Sequence, residues 1–363
     1  MKGIYVGAKK PYKVIIGAGA LTQVGAIMKR TDDKITKVLI VSETNVAPLY
    51  LETVKKGLQV SKYEVFEYVF EAGEQSKNIN TITKMWAVMA ENGFTRTDAI
   101  VALGGGVTGD MCGFAAATFL RGIKVFQVPT SLLAMVDASV GGKTGIDLPE
   151  GKNLVGAFHQ PAAVIEDTDC LKTLPDAVFT EGLGEVLKYA FIMDTELYDL
   201  LKKNADEGKA LTLREDSELL EKVVGMCVSD KVEVIVEDEF DNGRRQTLNF
   251  GHTIGHVIER DNNFQLAHGN CVAKGMGIMI TASEAAGTCA PETAATMRDL
   301  ITAYGLPVTD KITPEEMIAG AMNDKKKRGN TISTIEVNTI GKAEIVKRTP
   351  EEFLEFLKKG QNA

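Results

Sequence analysis

Residues 99–110 read AIVALGGGVTGD. AIVAL is short and wholly apolar, the pattern of a strand covered on both faces, as in a parallel sheet. Three glycines follow at once, and MCGFAAATFLRG (111–122) continues as a helix rich in small residues. Glycines between a strand and a helix let the backbone approach a ligand, and the helix's first N–H groups then face it. That arrangement suits a pyrophosphate. The spacing is neither GxGxxG nor a Walker A loop, and a simple tight turn fits the same residues. The strand–glycine–helix order is what carries the phosphate reading.

The same grammar extends outward on both sides. YKVII (12–16), KVLIV (37–41), 63–70 and VFQVP (125–129) read as strands, with helical stretches at 20–30 and 79–92. SETN follows KVLIV, so Glu43 and Asn45 fall where α/β sheets bind nucleotides, with an acid placed for a ribose hydroxyl, and an ordinary loop acid is the plainer alternative. Thr130 and Ser131 stand in the equivalent place after VFQVP. The next stretch holds Asp137, GGKTG (141–145) and GKN (151–153). Lys143, Lys152 and Asn153 are expected in loops there. Basic groups among glycines suit a phosphorylated or carboxylated small molecule, and solvated loop lysines are the plainer alternative.

Around Leu174–Pro175 the character changes to mostly helical, with helices expected at 178–204, 215–235, 247–260, 270–287 and 291–304. The expected division is therefore an α/β domain at 1–175 and a helical domain at 176–363. LNFGHTIGHVIERDNNFQLAH (248–268) contains three of the chain's four histidines, His252, His256 and His268. His252 and His256 are four apart and share one helix face. The polar stretch before His268 lets the chain fold back, so the three suit a divalent metal with one more ligand from elsewhere, the plainer alternative being two helix-surface histidines near a third by chance. In EGLGEVLKYA (181–190), Glu185 lies one turn from Lys188. It is either a surface ion pair or the missing ligand. Spacing alone does not choose between His256 and His268. TPEEM (313–317) and TPEEF (349–353) are capping-box starts of helices, and TISTIEVNTIGKAEIV (331–346) alternates like a hairpin turning at Gly341–Lys342.

Composition sets the outer bounds. At 363 residues, 44% hydrophobic and 25% charged, the chain is an ordinary globular one, long enough for two domains. A net charge of −8 with no charged tail argues against nucleic acid or an anionic membrane as the main partner. Cys112, Cys170, Cys227, Cys271 and Cys289 are scattered without a CxxC pair, which excludes a disulfide framework and a zinc ribbon. Residues 1–13 carry no apolar signal segment and no run reaches membrane-spanning length, so a cytoplasmic protein is expected.

Taken in order, GEQSK, GGGVTGD, RG, VPTSLLAMVDASVGGKTGID, GKNLVGAF, GEVLKYA, LNFGHTIGH, LAHG and DKKKRG resemble the sugar phosphate cyclases. The likeness is greatest to the branch that forms dehydroquinate, and it covers nearly the whole chain. It implies a Rossmann-like N-terminal domain for NAD+, a helical domain for a divalent metal, zinc or cobalt, and an active site in the cleft between them. By this resemblance Glu185, His252 and His268 are the metal ligands, and His256 is a substrate-contacting, proton-handling residue. Lys143, Lys188 and Asn249 join it as catalytic groups. NAD+ would contact Glu43, Asn45, Glu74, Lys77, Gly105, Gly106, Val107, Asp110, Thr130, Ser131, Lys152 and Thr173. An anionic substrate would be held by Asp137, Lys143, Asn153, Lys188, Lys231, Arg245, Asn249, His256 and Lys326, with Arg121 offered across a homodimer interface.

The implied reaction takes 3-deoxy-D-arabino-heptulosonate 7-phosphate to 3-dehydroquinate and phosphate. NAD+ removes a hydride, phosphate is eliminated, the hydride returns, and an intramolecular aldol closes the ring. Two positions depart from the family's pattern. Asp241, in EDEFDNGRR, stands where a glutamate is usual, and Glu181 stands where a small residue or Asn is common. The alternatives are a sister cyclase such as 2-deoxy-scyllo-inosose synthase, a metal-dependent polyol dehydrogenase, and a non-enzymatic interaction module. Lys231, Arg245, Asn249, His256 and Lys326 together favour the carboxylated substrate.

Overall fold

A computed structural model describes residues 1–262, 265–325 and 331–361. In chain order the strands are β1 (Lys2–Val6), β2 (Tyr12–Ile16), β3 (Lys37–Glu43), β4 (Glu64–Phe70), β5 (Ala99–Gly104) and β6 (Lys124–Pro129). They continue as β7 (Lys143–Leu148), β8 (Gly151–Phe158), β9 (Ala163–Glu166), β10 (Ile332–Thr339) and β11 (Lys342–Arg348). The helices are α1 (Val24–Thr31), α2 (Ala47–Val60), α3 (Ile79–Glu91), α4 (Gly106–Thr118), α5 (Asp176–Ile192) and α6 (Thr195–Asp206). Then follow α7 (Ser217–Glu237), α8 (His252–Asp261), α9 (His268–Ala285), α10 (Pro291–Ala303), α11 (Pro314–Lys325) and α12 (Pro350–Gln361).

The chain divides into two compact units, Met1–Leu174 with Ser217–Phe240, and Pro175–Asp216 with Asp241–Ala363. The first is built on a seven-stranded sheet in the order β1-β2-β9-β6-β5-β3-β4. Only β1 and β2 pair antiparallel; every other neighbour is parallel. Strands β3 and β5 are apolar because helices cover both faces: Val38–Val41 and Ala99–Leu103 are buried throughout. On one face Ile82, Met85 and Met89 of α3 and Met111, Cys112, Ala115 and Ala116 of α4 pack over Leu39, Val41 and Ile100. From β3 the chain steps first to β4 on one side and then to β5 on the other. The order therefore reverses between β3 and β5, and the carboxyl ends of those strands are where doubly wound sheets bind ligands.

The second unit is helical, with the two-stranded sheet β10-β11 as its only sheet among the described residues. Both capping boxes form. Glu316 accepts from Thr313 N at 2.8 Å while Glu316 N donates back to Thr313 Oγ1 at 3.3 Å, and Glu352 and Thr349 repeat the exchange.

Five expectations need correction. Lys143, Lys152 and Asn153 are not in loops: Lys143 opens β7 and the other two lie in β8, an antiparallel hairpin whose glycines hide the alternation. The helix expected over 178–204 is two helices, because Met193 leaves helical geometry and the Asp194 side chain caps α6 by accepting from Leu197 N at 2.9 Å. The helix expected over 247–260 begins as a 3₁₀ turn, Arg244–Asn249, and restarts at His252. Lys2–Val6, given no element above, is the sheet's edge strand. The helix Ser217–Glu237, expected in the second domain, belongs to the first unit. It buries Val224, Cys227 and Val228, and its Lys231 pairs with Asp137 at 2.9 Å.

Candidate active site

Three helices of the second unit bring their side chains to one point. Glu185 lies in the middle of α5, and α5 meets α9 where a Cβ on Gly269 would stand 1.8 Å from the Glu181 carbonyl oxygen. Only glycine allows that approach, and it delivers the preceding residue, His268, to Glu185. Gly251, left-handed at φ 77°, turns the chain out of the 3₁₀ segment so that His252 opens α8.

The ligand atoms of Glu185, His252 and His268 all lie within 4.8 Å of one another. His252 Nε2 is 3.4 Å and His268 Nε2 3.5 Å from Glu185 Oε1. These are ion-pair distances, longer than well-formed hydrogen bonds. The other ring nitrogens are held from behind. His252 Nδ1 is 3.1 Å from the Phe250 carbonyl oxygen, and His268 Nδ1 is 3.2 Å from Glu259 Oε1. An oxygen that only accepts holds a hydrogen on Nδ1 and so turns Nε2 of each ring toward the centre.

Glu185 is 1% exposed, and among the described residues no hydrogen bond closes on its Oε1. Burial alone would push its carboxyl up. The Lys188 ammonium against its other oxygen, with His252 and His268, instead holds it well below the usual carboxylate range. Burial pushes His252 below its ordinary value against the pull of Glu185. For His268 burial works the same way, but Glu185 and Glu259 outweigh it and raise the ring to about 10. A buried carboxylate without a hydrogen bond on one oxygen, faced by the Nε2 atoms of two imidazoles, fits a borderline divalent cation such as Zn²⁺ or Co²⁺, which would take the place of the Nε2 proton on His268. Three protein ligands leave coordination positions for a substrate.

Around this point, Lys188 is itself 1% exposed and stands 4.9 Å over the Tyr189 ring. Glu185 and Lys188 are therefore not a surface pair. His256, one turn along α8 from His252, has a side chain 49% exposed, with Nδ1 2.9 Å from Glu259 Oε2. Arg245, buried, and Asn249 lie in the turn that leads to Phe250. Burial raises the Glu181 carboxyl despite the nearby His268.

In the first unit Glu43, Asn45, Gly105, Thr130 and Ser131 lie at or just past the carboxyl ends of strands. Glu43 closes β3 and accepts from Asn45 N at 2.7 Å. Gly105 caps α4 without a side chain, so the N–H groups of Gly106 and Val107 open outward. Beneath them Lys77 Nζ is 2.7 Å from Asp110 and 3.8 Å from Glu74, which is also 3.8 Å from Lys152. Burial raises Glu74 against those two lysines, and Asp110 and Glu74 overcome burial to raise Lys77. Thr130 and Ser131 follow β6, with Thr130 N donating to Gly104 O at 3.0 Å. Thr173 Oγ1 pairs with the Tyr50 hydroxyl. Lys231 Nζ, besides its ion pair, donates to the Asp137 carbonyl at 2.5 Å. On the β7-β8 hairpin, Asn153 N donates to Asp147 at 2.7 Å, and Lys143 is exposed. Arg121 is exposed with φ 67°, and Lys326 lies outside the described residues.

A chain from Streptococcus suis, a 3-dehydroquinate synthase, is 42% identical over 349 residues, 96% of this chain and 97% of its own. Two family models match in succession, 3-dehydroquinate synthase N-terminal over residues 67–181 and 3-dehydroquinate synthase C-terminal over residues 182–327. The chain belongs to the 3-dehydroquinate synthase family. Among solved structures, 2-epi-5-epi-valiolone synthase from Streptomyces hygroscopicus subsp. jinggangensis 5008, with NAD+ and Zn²⁺ bound, superposes with a TM-score of 0.86. It is 27% identical, with 97% of each chain covered. A 2-deoxy-scyllo-inosose synthase complexed with carbaglucose-6-phosphate, NAD+ and Co²⁺ has the same fold at a TM-score of 0.86. It is 24% identical and covers 99% of this chain and 100% of its own.

Sequence reasoning missed one group in the first unit and two in the second. Asp147 was quoted only inside a motif, yet it accepts from Asn153 N. The Phe250 carbonyl is backbone and leaves no trace in a residue pattern. Glu259 did leave one: it stands three residues after His256, on the same helix face.

Proposed function

We propose that this chain converts 3-deoxy-D-arabino-heptulosonate 7-phosphate to 3-dehydroquinate and phosphate, using NAD+ and one divalent cation, Zn²⁺ or Co²⁺. The observation that carries the reading is the convergence of Glu185, His252 and His268 in a chain 42% identical to a 3-dehydroquinate synthase along nearly its whole length. When bound, NAD+ supplies a reversible hydride acceptor and the cation a Lewis acid at the substrate's hydroxyl oxygens.

The chain's own residues do the rest. Glu185, His252 and His268 hold the cation, and Lys188 keeps the glutamate ionised. His256 is tethered through Nδ1 and partly exposed, so its Nε2 is placed to take and return a proton. In the first unit the N-terminus of α4 and Thr130–Ser131 receive the pyrophosphate, and Glu43 with Asn45 takes a ribose hydroxyl. The Lys77–Asp110–Glu74–Lys152 set stiffens the loop beneath, and Thr173 borders it. Asp137, Lys143, Asn153 and Lys231 there, and Lys188, Arg245, Asn249 and Lys326 in the second unit, are the substrate groups. Lysines and arginines in that number suit a molecule bearing both phosphate and carboxylate. The same reading makes the protein a cytoplasmic homodimer in which exposed Arg121 serves the neighbouring subunit. Among the described residues no helix is long and apolar enough to cross a membrane.

The test is phosphate release from that substrate with catalytic NAD+ and Zn²⁺ or Co²⁺, before and after chelation. Metal-dependent release with dehydroquinate formed and no net NADH supports the proposal. Release from glucose 6-phosphate or sedoheptulose 7-phosphate instead makes the chain a sister cyclase, and stoichiometric NADH makes it a dehydrogenase.

A further inference from the structure

Glu259 is 2% exposed, and it backs not one histidine but two. A buried carboxylate costs several kcal/mol unless its oxygens are engaged. Here each oxygen faces a different histidine: Oε2 is 2.9 Å from His256 Nδ1, and Oε1 is 3.2 Å from His268 Nδ1. The two rings stack at 5.8 Å between centroids, 30° from parallel. One comes from the exposed face of α8 and the other from the first residue of α9, so a single side chain ties both helices to the site.

We propose that Glu259 is a positioning residue that sets both histidines at once. By accepting the Nδ1–H of each ring it leaves both Nε2 atoms with their lone pairs, His268 toward the cation and His256 toward the substrate. The inference rests on the metal reading of Glu185, His252 and His268. His252 supplies the internal contrast, since its Nδ1 is held by a neutral carbonyl, whereas His268 leans on a full negative charge. A carboxylate behind an imidazole fixes its tautomer and raises its basicity as a ligand. The ring that binds the cation and the ring that handles protons are then two ends of one hydrogen-bonded unit. His256, Glu259 and His268 are also near enough to hold a cation of their own, their ligand atoms lying within 4.8 Å of one another. Such a cation would need the Nδ1 atom of both rings stripped of hydrogen, so counting metals separates the two cases.

The experiment compares wild type, Glu259→Gln and Glu259→Asp, each freed of metal and titrated with Co²⁺ while its visible absorption and bound stoichiometry are followed. A glutamine can accept from one ring only and turns a donor toward the other. Expected are one Co²⁺ per wild-type chain, about 10–100-fold weaker binding in Glu259→Gln, and partial recovery in Glu259→Asp. NAD+ affinity should stay unchanged in all three. Unchanged Co²⁺ affinity and an unchanged band in Glu259→Gln would overturn the proposal, as would two Co²⁺ per wild-type chain falling to one. If Glu259→Gln does not fold, Glu259→Asp decides: affinity equal to wild type defeats the proposal, and weaker Co²⁺ binding with unchanged NAD+ affinity supports it. Because the readout uses no substrate, Co²⁺ binding without dehydroquinate formation would sink the proposed reaction and leave this inference standing.

Discussion

Glu166 ends β9 fully buried, with Ser139 Oγ 3.5 Å from one oxygen and, among the described residues, no hydrogen bond to the other. Burial pushes its carboxyl well above the ordinary 4.5. For an acid raised in the folded state, folding carries no penalty below pH 4.5, where both states hold the proton. Above it the unfolded chain ionises and gains, so stability falls with rising pH until the folded value is passed. Glu166→Gln should remove this contribution, recovering about 2 kcal/mol at pH 8 and almost nothing at pH 4. Paired thermal unfolding curves across that range check it, and parallel pH dependences for the two proteins would refute it. Nothing in the sequence marks Glu166 out, because a strand-end acid and a buried acid look alike until the neighbours are placed. Glu185, His252 and His268 were readable to a degree. Histidine scarcity and the i, i+4 pair pointed to a site, but choosing His268 over His256 depends on where α9 begins.

At the scale of elements the site is made by helices that touch through glycine. Gly269 carries the tightest of these contacts, and Gly269→Ala forces the α5 and α9 backbones apart. The cost should be about 3 kcal/mol. The displaced His268 should also bind metal more weakly even where the chain remains folded. Urea unfolding together with Co²⁺ titration measures both, and wild-type values for both would contradict this account of the crossing. Elements with strong local signals were legible: buried parallel strands announce themselves by unbroken apolar runs, and both capping boxes by Thr-Pro-Glu-Glu. Elements whose identity depends on partners were not. The β7-β8 hairpin read as a loop because Gly145, Gly151 and Gly156 interrupt its alternation, although Ile146, Val155 and Ala157 face the core, and the break at Met193 carries no proline or glycine to signal it.

At the scale of the whole molecule, chain order and unit membership part company. The segment Ser217–Phe240 leaves the helical half and returns to the sheet unit, carrying Lys231 to Asp137. A helix shows its amphipathic period in the sequence but not which surface it covers, so a single boundary near residue 175 missed this return. The strand–glycine–helix segment and the histidine window lie in different units whichever way α7 goes. The central claim is that Glu185, His252 and His268 hold one divalent cation while His256 does not. Its most direct test is metal stoichiometry after dialysis for wild type and the alanine variants of those four residues. The account predicts one Zn²⁺ or Co²⁺ per chain in wild type and His256→Ala, and loss of binding in Glu185→Ala, His252→Ala and His268→Ala. Loss in His256→Ala with retention in His268→Ala would contradict it.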